Sequence, residues 1–346
     1  MVTIKDVAAR AGVAVSTVSY VLSGSRRISE KTRQAVQQAV DELGYHPSAS
    51  ARTLRGARTN VLALALPRSG RDYRPVDGRF AIELCDAARE RGYDVLMLTE
   101  REGLRGLRRV TRAGQADGAV LMAVTEDDPR VTALEELGLP YALLGTPHPQ
   151  APAAATAPFA DLDWAAAVEQ AATAAADAGH RHVAYVPCTA PEVADRKGYA
   201  LAGLAGARAA AARLGPDRLR ILEPPQANEE LGRTLAKLLA DPANRPTALL
   251  LQHVDGLATV FAAAATAGLG VPQDLCVVPV GSIAEEHGGR RLPRVELPVL
   301  DMAEAVTDLL VRAIDRASRA EGPRAADTRL IPPVLLGADL LAPHRP

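Results

Sequence analysis

From residue 61 onward, short apolar runs alternate with amphipathic stretches, and they do so in two series. Val61–Leu66, Asp94–Leu98, Gly118–Val124 and Tyr141–Leu144 predict strands, with helices near 80–91, 102–113 and 130–137 between them. His182–Val186, Leu219–Leu222, Thr247–Leu251 and Leu275–Val280 predict a second set of strands, with helices near 163–178, 196–213, 229–240 and 254–267. Alternation of this length demands parallel sheets with helices on both faces, and two series demand two similar α/β lobes. A ligand in such a body sits at strand ends, between the lobes. The low-complexity run Ala151–Pro158 marks either the loop into the second lobe or an external loop.

The first sixty residues follow a different pattern. Ile4, Val7, Ala8 and Ala11 recur at helical spacing, with Thr3 and Asp6 as a capping pair at the start. Gly12 permits a sharp turn into a second short helix, in which Val18, Val21 and Leu22 form the buried side. Val15, Ser16, Thr17, Ser19 and Tyr20 lie on its outer side. A third helix starts at Ser29 and carries Val36, Ala39, Val40 and Leu43 as its stripe, closing a small all-α core before Gly44-Tyr45-His46-Pro47. Two short helices around a glycine turn suit a DNA groove.

Charge agrees with that reading. Residues 1–60 hold nine Lys and Arg against four acids, a balance of +5, so a whole-chain charge of −1 leaves −6 on the rest. A near-neutral total conceals a basic head on an acidic body, as expected when one end meets phosphates. The competing explanation, a solvated basic face on an ordinary three-helix domain, accounts for the charge but not for the turn and helix spacing found with it.

Other classes find less support. The 346 residues hold no apolar run approaching a membrane span, and the start Met1-Val2-Thr3 lacks an export leader, so a cytoplasmic protein with no membrane partner is expected. Cys85, Cys188 and Cys276 are scattered without metal-type spacing, which implies buried reduced thiols. No phosphate-binding glycine loop, nucleophile elbow or His/Cys metal set is present, so neither an enzyme nor a cofactor is expected.

The run Thr3–Leu22, the helix start Ser29-Glu30-Lys31-Thr32-Arg33, Gly44-Tyr45-His46-Pro47 and Ala51-Arg52-Thr53-Leu54-Arg55 together resemble the head of a LacI/GalR-type transcription regulator. The resemblance extends over Asp163–Val186, Gly268–Val278 and Leu292–Leu310. It implies a helix-turn-helix domain over 1–47, a hinge over 48–59, and a periplasmic-binding-protein-like two-lobe core over 60–346. The lobe boundary falls near 158–162, with return crossings near 282–295 and 318–328, and Arg329–Leu336 finishes the second lobe. It also implies that Val15, Ser16 and Tyr20 read base edges, and that Thr17, Ser19 and Ser29 hold phosphates. Leu54, flanked by Ala51 and Arg55, takes the place of a minor-groove wedge, or else packs within a linker. The partners implied are a near-palindromic double-stranded operator, a second copy of the chain and a small-molecule effector of unknown identity, acting on what is most often a repressor.

Departures from the family pattern are visible. Ala14 stands where a capping Ser is usual. The family's Asn-Asp pair falls on His253-Val254, with Asp255 one residue late and rotated by about 100° on a helix. The family's ligand-binding arginine falls on Gly203, and the usual Gly-Phe-Asp-Asp on Pro279-Val280-Gly281-Ser282. Arg196, His253, Asp163 and Trp164 are therefore the candidate effector-lining residues, and an ordinary sugar is disfavoured. Three of them have a plainer explanation: core packing for Trp164, a strand-end cap for His253, a surface pair for Arg196 with Asp195. A solute-binding protein with a vestigial head, or a regulator without effector response, are the alternatives.

Overall fold

The computed structural model describes residues 2–23, 26, 28–45, 58–66, 74–99, 103–147, 157–215, 217–319 and 327–341. Ala51, Leu54 and Arg55 of the expected hinge lie outside the described residues.

Three helices form the head: α1 (Ile4–Ala11), α2 (Val15–Ser23) and α3 (Glu30–Leu43). Val7, Ala8, Val18, Val36, Ala39 and Tyr45 make its buried core. An Arg10–Glu42 ion pair joins α1 to the end of α3.

The first lobe takes β1 (Val61–Ala65), α4 (Pro75–Glu90), β2 (Asp94–Leu98), α5 (Leu104–Arg112), β3 (Gly118–Met122), α6 (Pro129–Leu137), β4 (Tyr141–Leu144) and β5 (Phe159–Leu162). Every residue of β3 is buried, which is what a strand covered by helices on both faces requires. The chain then enters the second lobe through α7 (Trp164–Asp177). There follow β6 (Val183–Val186), α8 (Ala190–Ala194), α9 (Gly198–Leu214), β7 (Leu219–Ile221), α10 (Asn228–Leu239), β8 (Ala248–Leu251), α11 (Leu257–Thr266) and β9 (Cys276–Ser282). A small hairpin of β10 (Glu286–His287) and β11 (Arg290–Arg291) precedes β12 (Arg294–Glu296). Helix α12 (Val299–Ser318) and strands β13 (Thr328–Ile331) and β14 (Leu335–Leu336) complete the described chain, apart from short 3-10 turns.

Two six-stranded sheets result. Their orders are β13-β5-β4-β3-β1-β2 and β14-β12-β9-β8-β6-β7, parallel throughout except for the antiparallel β12–β14 pair. The later crossings differ from those expected. β12 still pairs with β9 in the second sheet, and α12 packs on α4 and on β3, β4 and β5, so the return lies between Glu296 and Val299 rather than near 282–295. β13 adds to the first sheet beside β5, so 329–331 belong to the first lobe and only Leu335–Leu336 rejoin the second. That crossing falls between Ile331 and Leu335, beyond the expected 318–328. The cause is pairing: β13 (Thr328-Arg329-Leu330-Ile331) is half polar and mostly exposed, so it shows no apolar run, and its sheet is set by which edge stands open.

Candidate functional site

The head presents its chemistry outward. The N–H and hydroxyl of Thr3 each donate to Asp6 at 2.7 Å, and these bonds hold the Asp6 carboxyl below its ordinary value. Gly12 ends α1 at a φ of 66°, the left-handed geometry a glycine adopts without strain. Helix α2 starts without a side-chain cap: Thr17 and Val18 donate to the Ala14 carbonyl at 2.9 and 3.2 Å, and the Ala14 methyl serves no further N–H.

Complete burial of Val18 fixes which face of α2 points out. Val15, Ser16 and Tyr20 are exposed on that face, and Thr17 and Ser19 are half-buried beside it. Val15 and Tyr20 remain 39% and 37% exposed, large side chains that a folded head leaves in solvent. The Arg26 guanidinium lies 5.6 Å from the centre of the Tyr20 ring. The Ser29 hydroxyl accepts from the Thr32 N–H at 3.3 Å and so caps α3.

The second feature is a cavity of about 680 Å³ between the lobes. Of the four residues singled out in the sequence, Trp164 and His253 line it and Asp163 and Arg196 do not. Asp163 caps α7, accepting from the Ala166 N–H at 3.0 Å, so its carboxylate is engaged by its own helix. Arg196 reaches across to the first lobe and pairs with Glu126. Asp255, one residue out of the family register, does line the cavity, because His253 leads into a 3-10 turn (Val254–Gly256) rather than straight into an α-helix.

Residues that the sequence did not single out build the polar wall. Arg74, just before α4, stands 3.9 Å from Glu192 and 3.6 Å from Asp255, both on the second lobe. Burial opposes the Arg74 charge, yet the neighbouring Tyr199 and carboxylates of Asp255, Asp77 and Glu192 raise its pKa overall. Burial likewise pushes the Glu192 carboxyl up. Bonds from the Tyr199 hydroxyl at 2.7 Å and from the Thr189 hydroxyl and N–H at 2.8 and 3.0 Å, with Arg74 alongside, bring it below its ordinary value. Asp161, fully buried at the end of β5, is pushed up to about 6 by that burial. It still accepts from the Trp164 indole at 2.9 Å and from the Leu162 and Thr146 N–H groups at 2.8 Å.

Gln252 occupies the space that an arginine at 203 would need. A Cβ on Gly203 would lie 2.2 Å from the Gln252 amide oxygen, which accepts from Tyr185, while the Gln252 amide nitrogen donates to the Tyr199 carbonyl at 2.9 Å. The lobes touch closely at one lip, where a Cβ on Gly198 would lie 1.8 Å from the Thr146 carbonyl oxygen. Burial lowers His253, whose ring nitrogen lies 2.8 Å from the Asn228 side-chain oxygen. Among the described residues no group of His, Cys, Asp and Glu could hold a metal ion, and no helix is long and apolar enough to cross a membrane.

A helix-turn-helix with its outer face exposed, followed by a two-lobe core enclosing a cleft, fits a DNA-binding transcription regulator with a sensing domain. Comparison with known proteins agrees. Residues 3–48 match the bacterial regulatory proteins of the lacI family, and residues 172–335 a periplasmic binding protein-like domain. The chain is 30% identical over 332 residues to the HTH-type transcriptional regulator CelR of Thermobifida fusca, covering 90% of this chain and 92% of that one. It is 28% identical over 308 residues to DegA of Bacillus subtilis, covering 87% and 88%. A solved CelR–cellobiose complex superposes with a TM-score of 0.66 at 25% identity, covering 97% of this chain and 98% of that one. The lac repressor dimer bound to operator and an anti-inducer gives a TM-score of 0.75 at 20% identity over 96% and 97%, a likeness of fold. The chain belongs to the lacI family of bacterial transcription regulators. Both of these relatives, CelR and DegA, are transcriptional regulators of the helix-turn-helix type.

Proposed function

We propose that this regulator represses transcription in the cytoplasm as a homodimer on a near-palindromic operator, with a small molecule in the inter-lobe cavity controlling its grip. The observation that carries the reading is the outward face of α2, where Val15, Ser16 and Tyr20 stand exposed over a buried Val18. These three read base edges in the major groove, while Thr17, Ser19 and Ser29 hold phosphates. Ala51, Leu54 and Arg55 form the hinge, with Leu54 as the wedge that kinks the operator centre.

Two features support a second copy and an effector. Helix α4 and the edge strand β2 leave Ile82 and Met97 exposed, at 61% and 43%, large apolar side chains that a second copy would cover. The lobes are joined across the cleft by Arg74 with Glu192 and Asp255, contacts that a ligand between the lobes must rearrange. Changing the lobe angle changes hinge pairing, and with it operator affinity.

Selection of bound DNA from a random library by the full chain tests this. The expected product is an inverted repeat with constant half-site spacing, altered by substitutions at Ser16 and Tyr20. A single unrepeated motif contradicts the dimer, and no enrichment contradicts the reading as a whole.

A further inference from the structure

The walls of the cavity restrict what can enter it. Among the described residues, one guanidinium, Arg74, faces four carboxyls: Asp77, Asp161, Glu192 and Asp255. His253 and His287 also line the cavity, and burial lowers both, so neither adds positive charge at neutral pH. A net negative charge in a recess walled by protein acts more strongly, and over a longer range, than the same charge on open surface.

Two of these carboxylates offer a field more than free acceptors. Both oxygens of Glu192 are engaged, by the Tyr199 hydroxyl and by the Thr189 hydroxyl and N–H. Both oxygens of Asp161 are engaged, by the Trp164 indole and by the Leu162 and Thr146 N–H groups. A polyol needs several open, directional partners to replace its water. An ammonium group is stabilised by the negative field itself. Much of the remaining wall is apolar, including Phe80, Met122, Leu297 and Met302, and the Trp164 and Tyr199 rings stand 6.0 Å apart. Aromatic faces attract cations as well as flat ring systems.

We propose, resting on the reading of this cavity as the effector site, that the effector is an organic cation with a flat apolar body. Its positive end lies in the field of Glu192 and Asp255, and its body lies against Trp164 and Phe80. That positive end competes with Arg74 for the two carboxylates, so binding loosens the ion pairs that join the first lobe to the second.

The test is calorimetric titration of the full chain with three indoles that share one ring system: tryptamine with an ammonium, tryptophol with a hydroxyl and indole-3-propionate with a carboxylate. Cellobiose is the fourth ligand. Tryptamine is expected to bind about tenfold more tightly than tryptophol, and indole-3-propionate more weakly than either. Asp255→Asn and Glu192→Gln are expected to bring tryptamine down to the level of tryptophol. Asp255, whose side chain is 56% exposed, keeps the test valid if the Glu192 variant fails to fold. Carboxylate binding equal to ammonium binding, or no indole bound at millimolar concentration, overturns the proposal. Cellobiose binding more tightly than tryptamine, and lost in Trp164→Ala, overturns the cation assignment while leaving the cavity as the effector site. Binding of every ligand unchanged by Trp164→Ala overturns the cavity reading itself.

Discussion

The head and the inter-lobe cavity build their chemistry in opposite ways. In the head, fewer than fifty consecutive residues supply both the scaffold and the exposed face, and the side chains proposed to read DNA are those the core leaves outside. Burial of Val7, Val18 and Val36 decides that Ser16 and Tyr20 face solvent. In the cavity, Arg74, Asp161, Glu192 and Asp255 come from four distant stretches of chain, and most of their polar atoms are engaged by one another, by neighbouring side chains or by backbone. A site of the first kind depends on its small core. A site of the second kind depends on a network, in which replacing one residue disturbs its partners.

The largest test of this contrast is Val18→Asp. An unpaired carboxylate buried in so small a core costs several kcal/mol, enough to unfold the head. Operator affinity is expected to fall at least about a hundredfold, while the melting transition of the two-lobe core stays in place. Loss of the core transition as well would show that the two regions fold as one.

Asp161 sharpens the contrast from the cavity side. Its carboxyl titrates near 6 in the folded chain, against an ordinary 3.8. Between those values the folded chain holds a proton that the unfolded chain releases. The burial penalty, fully present above pH 6, is therefore relieved as the pH falls toward 4, by about 3 kcal/mol. Asp161→Asn removes that slope. Urea midpoints of the two proteins across this range are expected to differ most in favour of the variant at pH 7, and the difference to shift steadily toward the wild type on acidification. A constant difference would contradict the assigned burial effect.

Gly203→Arg restores the arginine common in the family and is expected to fail there. The new side chain meets Gln252, which Tyr185 and Tyr199 hold in place, so the core loses about 1–3 kcal/mol by overpacking. A rise in core melting temperature would show that the cavity still accommodates the family's arrangement. The smallest effect is a gain. Ala14→Ser supplies the missing cap of α2 and is expected to stabilise the head by about 1 kcal/mol, with modestly tighter operator binding. Differential scanning calorimetry resolves both changes.

What could be read from the sequence follows the same division. The eight strands expected from apolar runs all exist, within one or two residues at each end. The inner ones, such as β3 and β8, are covered on both faces and carry that burial in their composition, while the edge strands β2 and β7 keep enough of the run to be read. The head's helices and the outward face of α2 follow from 3.6-residue spacing and a glycine turn, information contained within a few residues. The short strands β12, β13 and β14 show no such run, so the later crossings lie away from the expected positions. In the cavity, Trp164 and His253 were legible as residues at strand ends. Arg74 and Glu192 were not, since each acquires its meaning only from the other lobe. Asp163 and Arg196 misled for the matching reason: the first serves its own helix, and the second pairs with Glu126 outside the cavity.

The central claim is that an exposed basic head on an acidic body works by gripping DNA. Its most direct test is the affinity of the full chain for its selected operator, measured by fluorescence anisotropy between about 50 and 200 mM salt. Phosphate neutralisation by two heads predicts a fall of about a thousandfold over that range, as bound counterions are released. An affinity that stays flat with salt would contradict the account.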